Sequence, residues 1–261
     1  MIARERQSRI LRSLDGAGAV SVSELAKELA VTDETIRRDL TKLANEGLAI
    51  RTHGGAMLPD PNGRDAPFAT RRSRNIEAKR TIARQAAQLV QPGDVIGIDA
   101  SSTGFELARQ LPLRNEGPPI TVVSNGLDVI KVLAGREGVQ AYSTGGLLDA
   151  DGASFLGPIA ETTFRQFAMK RVFLSCKAFD PERGPSEATP EHAAIKQTMF
   201  INAEESILLI DATKIGAKSN FFVAAPDQFT RLITDQQAPS DQAMPADLEV
   251  QIAEAVSSTV L

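Results

Sequence analysis

The chain has 261 residues, 42% of them hydrophobic, which leaves room for two domains with substantial cores. Its net charge of −4 is unevenly spread: residues 1–84 hold 16 Lys and Arg against 11 Asp and Glu, and residues 85–261 hold 13 against 22, so a polyanionic partner is expected at the amino-terminal end. A single cysteine, Cys176, excludes an intramolecular disulfide, and no signal peptide or membrane-length apolar run is visible, so the expected location is cytoplasmic, with no membrane partner.

Arg4 to Leu14 carries Ile10, Leu11 and Leu14 at helical spacing before Gly16 and Gly18 break the pattern. Ser21-Val22-Ser23-Glu24 has the capping-box form and starts a short helix through Leu29. After the Ala30-Val31 turn, Thr32 offers a second cap, which gives a helix-turn-helix layout. In the second helix Ile36, Leu40 and Leu43 face inward and Thr35, Arg38, Thr41 and Lys42 lie on the opposite arc. Arginine pairs bidentately with guanine edges while Lys and Thr hold phosphates, so this arc suits a major groove; the same residues also suit a plain solvated face. Gly47 ends the helix, and Leu48 to Gly55 suits a two-stranded wing with a glycine tip, Arg51 and His53 pointing the same way along it. The candidate contacts to double-stranded DNA are therefore Ser21, Thr32, Thr35, Arg37, Arg38, Thr41, Lys42, Arg51 and His53. The lack of Trp and the single Tyr argue against stacking on single strands.

Residues 58–70 carry Pro59, Pro61, Gly63 and Pro67 and read as a linker between a DNA-binding domain, 1–57, and a second domain, 71–261. A helical stretch runs to Val90. Strand-like runs follow at Val95–Ile98, Ile120–Val123, Val139–Ser143, Arg171–Ser175, Ser206–Ile210 and Arg231–Thr234, most separated by helical segments, which predicts an α/β fold with a largely parallel sheet. Ligands of open α/β sheets gather at the carboxyl ends of strands. Those ends hold Asp99, Ser101, Ser102 and Thr103 at the start of a helix, then Asn125, then Gly145 and Gly146, then Lys177 with Asp180, then Asp211 with Lys214. Hydroxyls, amides and lysines at a positive helix end are anion-site chemistry, although Ser and Thr cap helices without any ligand.

The capped helix, the T-I-R-R-D-L core and the R-T-H-G-G-A wing together resemble the DeoR-type family of bacterial sugar-metabolism regulators, and the resemblance covers nearly all of the chain. It implies a winged helix-turn-helix followed by a sugar-phosphate sensor similar to ribose-5-phosphate isomerase, with operator DNA and a phosphorylated sugar as partners. It also implies repression relieved by that sugar. Asp99, Ser102, Thr103, Asn125, Gly145, Gly146, Asp211 and Lys214 fall on the family's effector pattern, Glu191 and Lys196 on its helical E-x-x-x-x-K, and Glu187 joins the candidate set. Ser101 stands where the family usually has glycine and Gly104 where it often has a hydroxyl; a side chain at Ser101 is expected to narrow the approach of a phosphate. One competing class is an isomerase-like enzyme using Asp180, Glu187 or Glu191 as base, and another is an architectural DNA binder with a vestigial sensor. No cofactor is expected, and no metal, since His53 and His192 have no second ligand at metal spacing; Cys176 reads as a core residue. A domain this small covers a short half-site, so a homo-oligomer, dimer or tetramer, is expected on paired sites.

Overall fold

The computed structural model describes residues 2–45, 48–52, 54–57, 68–111, 117–150, 153–238 and 243–254, which fall into two compact units, Met1–Arg74 and Asn75–Leu261. The first unit runs α1 (Ala3–Ala17), β1 (Ala19–Ser21), α2 (Val22–Glu28), α3 (Asp33–Asn45), β2 (Ile50–Arg51), β3 (Gly55–Met57) and α4 (Phe68–Ser73). Ile10, Leu14, Leu25, Ile36, Leu40 and Leu43 are buried in one small core. The wing has one strand more than the sequence suggests, because β1, read as a turn and cap, pairs with β3 to give the order β1-β3-β2. Gly55 allows that pairing: a Cβ there would lie 1.9 Å from the Val20 carbonyl oxygen. Phe68–Thr70, expected at the end of the linker, are helical; Gly47 and His53 lie outside the described residues.

The second unit begins with α5 (Ile76–Ala87), β4 (Val95–Ile98), α6 (Ser102–Gln110), β5 (Ile120–Ser124), α7 (Leu127–Leu133) and β6 (Val139–Ser143). The hairpin β7 (Leu147–Leu148) and β8 (Phe155–Leu156) leads to α8 (Pro158–Arg165) and β9 (Met169–Leu174). Then come β10 (Ala178–Asp180), β11 (Gly184–Glu187), α9 (Pro190–Ile201), β12 (Ala203–Leu209), β13 (Phe221–Phe222), β14 (Arg231–Thr234) and β15 (Glu249–Ile252). Seven strands form one parallel sheet in the order β15-β14-β12-β9-β4-β5-β6. The chain winds outward from β4 to β6 and then restarts on the other side of β4 with β9, so strand order reverses between β4 and β9. In open α/β sheets such a reversal marks the crevice, outside the carboxyl ends of the two strands, where ligands bind. Ile96, Ile98, Val172 and Phe173 seal the sheet below it. Among the described residues no helix is long and apolar enough to cross a membrane, and no cluster of His, Cys, Asp and Glu is placed to hold a metal.

Candidate functional site

Helix α3 is anchored from beneath. Asp39 is buried and accepts from the Arg6 guanidinium and, at 2.8 Å, from the Gln7 amide, which ties α3 to α1. Its outer face is open: the Arg38 side chain is 82% exposed and donates to Glu34 at 3.2 Å, and Arg37 lies 3.8 Å from Asp33. Thr41 donates back to the Arg37 carbonyl, and Thr32 caps the helix by accepting from the Thr35 amide. Lys42 is exposed on the same arc. Ser21 caps α2 by accepting from the Glu24 amide, and Arg51 turns back onto the Gly55 carbonyl at 2.9 Å, bracing the wing. Glu34, absent from the residues expected to contact DNA, lies one helical turn before Arg38 and orients it.

The second site is built where strand order reverses. Asp99, directly after β4 and 1% exposed, accepts from the Ser175 amide at the end of β9 at 2.8 Å and from Lys196 on α9. Lys196 also meets Glu187 at 3.3 Å, so one buried ammonium is shared by two buried carboxylates. Burial alone would lower the Lys196 pKa, but Asp99 and Glu187 hold it above its ordinary value and keep the ammonium charged. Lysine has three N–H donors, and Asp99 and Glu187 account for two of them among the described residues. Cys176 lies in the same region, 5% exposed, and burial pushes its thiol up to about 12, where it is inert.

The two departures from the family pattern explain each other. Ser101 has extended backbone (φ −79°) and its hydroxyl caps α6 by accepting from the Gly104 amide at 2.8 Å. The side chain expected to crowd a phosphate is thus turned into the helix. Gly104 in turn needs no hydroxyl and has no room for one: a Cβ would lie 2.7 Å from the Asp99 carbonyl oxygen and 2.9 Å from Oδ1. The Ser102 and Thr103 amides are the helix-start donors without intrahelical acceptors. Thr103 Oγ1 is fully buried and, like the buried Oδ1 of Asn125 at the end of β5, has no hydrogen-bond partner among the described residues. Asn125 uses its amide on the Phe155 carbonyl at 3.1 Å.

A third strand end joins from β12. Lys214 donates to the Ser175 hydroxyl at 3.0 Å, and Asp211 accepts from Thr213 and from Asn75 at 3.1 Å. Burial would raise the Asp211 carboxyl, but Lys214, Thr213, Lys79 and Asn75 bring it below its ordinary value. Asp99, Lys196, Glu187, Ser175 and Lys214 are therefore one contiguous polar cluster, with Asp211 linked through Lys214. Asp180 belongs elsewhere. Lys218 at 2.8 Å holds its carboxyl below its ordinary value, and it accepts from the Glu182 and Arg183 amides, closing the β10–β11 turn. Lys177 is half-buried beside that hairpin, its amide donating to the Ser186 carbonyl, and Glu191 is exposed on α9. Gly145 and Gly146, with φ of 60° and 115°, turn the chain from β6 into β7.

Residues missed from sequence include Ser175, Asn75 and Lys79, and the group Asp149, Ser154 and His192. Ser154 donates to Asp149 at 2.5 Å, His192 Nε2 lies 3.3 Å from Ser154 Oγ, and His192 Nδ1 faces Thr189 at 2.8 Å. The three residue types are those of a hydrolase, but the serine hydroxyl donates its hydrogen bond to Asp149 and His192 Nδ1 faces Thr189 instead of a carboxylate, so the arrangement is not that of an activated nucleophile. The group fastens the β7–β8 loop to the start of α9. Of the three carboxylates eligible as an isomerase base, Asp180 is tied to Lys218, Glu187 to Lys196, and Glu191 is on the exposed surface.

Comparison with known proteins follows the same division. Residues 6–62 match the sequence profile of the DeoR-like helix-turn-helix domain, and residues 74–236 match that of the DeoR C terminal sensor domain. The L-fucose operon activator of Haemophilus influenzae is 35% identical over 236 residues, spanning 90% of this chain and 93% of that protein. A putative aga operon transcriptional repressor of Escherichia coli O157:H7 is 31% identical over 239 residues, 91% and 88% of the two chains. Among solved structures, ribose 5-phosphate isomerase A from Methanocaldococcus jannaschii aligns with 54% of this chain and 55% of its own, at 17% identity and a TM-score of 0.39. With both profiles matched in order along one chain, and regulators alike over about nine-tenths of it, the protein belongs to the DeoR family of DNA-binding transcription regulators.

Proposed function

We propose that the protein represses a sugar-catabolism operon and releases its operator when a phosphorylated sugar fills the crevice between β4 and β9. The observation that carries this reading is a pair of buried acceptors with no hydrogen-bond partner among the described residues, Thr103 Oγ1 in the first turn of α6 and Asn125 Oδ1 directly after β5. Buried polar atoms are seldom left without partners, and sugar hydroxyls supply them. The Ser102 and Thr103 amides at the positive end of α6 suit the phosphate, while Lys214 and the third Lys196 donor supply further N–H groups. Residues 1–57 act as the DNA reader, 58–70 as the linker and 71–261 as the sensor, in a homo-oligomer that spans paired half-sites. The names of the two relatives refer to an L-fucose operon, with an activator, and to an aga operon, with a putative repressor. Repression is the simpler sign, since an exposed, braced α3 is ready for operator unaided and the effector has only to loosen it.

A thermal-shift screen of primary phosphate esters of aldohexoses, ketohexoses and pentoses, each beside its unphosphorylated sugar, tests the reading. One ester should raise the melting temperature by mass action, by roughly 2.7 kcal/mol of stabilisation at a hundred times its Kd, while the parent sugar does not. A panel in which no ester stabilises the protein, or in which sugar and ester act alike, contradicts it.

A further inference from the structure

We infer that Asn75 is a positioning residue that carries occupancy of the β4/β9 crevice to the DNA-binding unit, an inference that rests on the function proposed above. Asn75 follows Arg74, the last residue of the first unit, and starts α5. It is one of two non-glycine residues with positive φ among those described, at φ 50° and ψ 38°, a conformation that costs most side chains energy and that Asn tolerates. A residue at a helix start ordinarily turns its side chain onto the first amides; that of Asn75 makes no such bond. It donates instead to Asp211 Oδ1 at 3.1 Å and to Thr213 Oγ1 at 3.4 Å, residues 136 and 138 positions away. Lys79, one turn into α5 and 4% exposed, sets its charge near the same carboxylate, so the 211–214 loop holds the start of the helix twice.

That loop is also the part of the crevice nearest to a conflict of charge. Lys214 donates to Ser175, whose amide donates to Asp99, and the same ammonium stabilises the Asp211 carboxylate. A phosphate ester drawing on Lys214 competes with Asp211 for it. The short 3-10 turn Ala212–Lys214 then has two arrangements, one with Lys214 on Ser175 and one turned to the ligand, and Asn75 is bonded to that turn through Thr213. A two-state element biased at one end by ligand and fixed at the other to the joint between units is what coupling requires.

Two variants separate this role from simple stability. Asn75→Gly retains the positive φ without strain and removes both hydrogen bonds; Thr213→Val keeps the shape of its side chain and removes the hydroxyl. Each is measured for melting temperature, for operator affinity by fluorescence anisotropy, and for affinity toward the ester that stabilises wild type most in the screen. Both variants should bind operator alone and ester alone as wild type does. The ester-induced loss of operator affinity, about 5–150-fold in wild type, should shrink toward onefold. If Asn75→Gly fails to fold, Thr213→Val decides. Full wild-type coupling in the folded variants overturns the assignment of Asn75 while leaving the crevice intact as the effector site; a wild type that binds no ester overturns the proposed function, and this role with it.

Discussion

Replacing Lys196 with Met is expected to destabilise the sensor unit by about 3–5 kcal/mol, the cost of leaving buried carboxylates without their counter-charge. Asp99 and Glu187 share this ammonium, both are buried, and Asp99 is also the acceptor that joins the end of β4 to the end of β9. Chemical denaturation of the variant and of Lys196→Arg separates charge from packing. Arginine restores the charge but presents a planar fork in place of a compact ammonium, so it should recover part of the loss. An unchanged midpoint in Lys196→Met would show that the buried cluster tolerates two unpaired acids and would remove Lys196 as its keystone.

In the other unit, Asp39→Ala should cost about 2–4 kcal/mol, less than a fully buried pair because the Arg6 side chain, 12% exposed, can turn toward water. The amino-terminal unit has a small core and correspondingly little reserve, so its operator binding should be lost well below the wild-type melting temperature. Arg38→Ala is the companion measurement. At 82% exposure its pair with Glu34 is a surface one of little worth to stability, and its loss should weaken operator binding by about 1–3 kcal/mol with the melting curve nearly unmoved. Two variants on adjacent positions thus fail for different reasons, one by folding and one by contact. Equal melting of Asp39→Ala and wild type would contradict the anchoring role.

What was legible in the sequence was whatever depends on nearest neighbours along the chain. The faces of α3, the caps at Ser21 and Thr32, and the runs that become β4, β5, β6, β9, β12 and β14 all follow from spacing and from a few residue types. The polar residues after those runs were visible for the same reason, because a strand end is a local signal. Ser175 was passed over as the last residue of an apolar run, although its amide is what closes the Asp99 loop. Asn75 and Lys79 stood in a stretch read as plain helix, and nothing local reveals a partner in the 211–214 loop. His192, read as a lone histidine, meets Ser154 from 38 positions away. The small strands β7, β8, β10, β11 and β13 are two to four residues long, too short for any period to emerge. Asp180 stands out by its place after the Arg171–Ser175 run, but it ends β10, half of a tight hairpin with β11, and its carboxylate is spent on the turn. Ser101 and Gly104 looked like separate departures from a pattern; only the close approach of Asp99 to α6 shows them to be one solution.

The proposed coupling links one crevice and one recognition helix thermodynamically, and reciprocity makes it measurable without knowing the operon. Titrating the stabilising phosphate ester calorimetrically into the protein alone and into the protein saturated with its operator gives two dissociation constants. Linkage requires the ester to bind the DNA-bound protein more weakly, by the same factor of about 5–150 by which it weakens the operator complex. Equal affinity for the ester in the two titrations would contradict the account, leaving a ligand that binds the sensor without governing DNA.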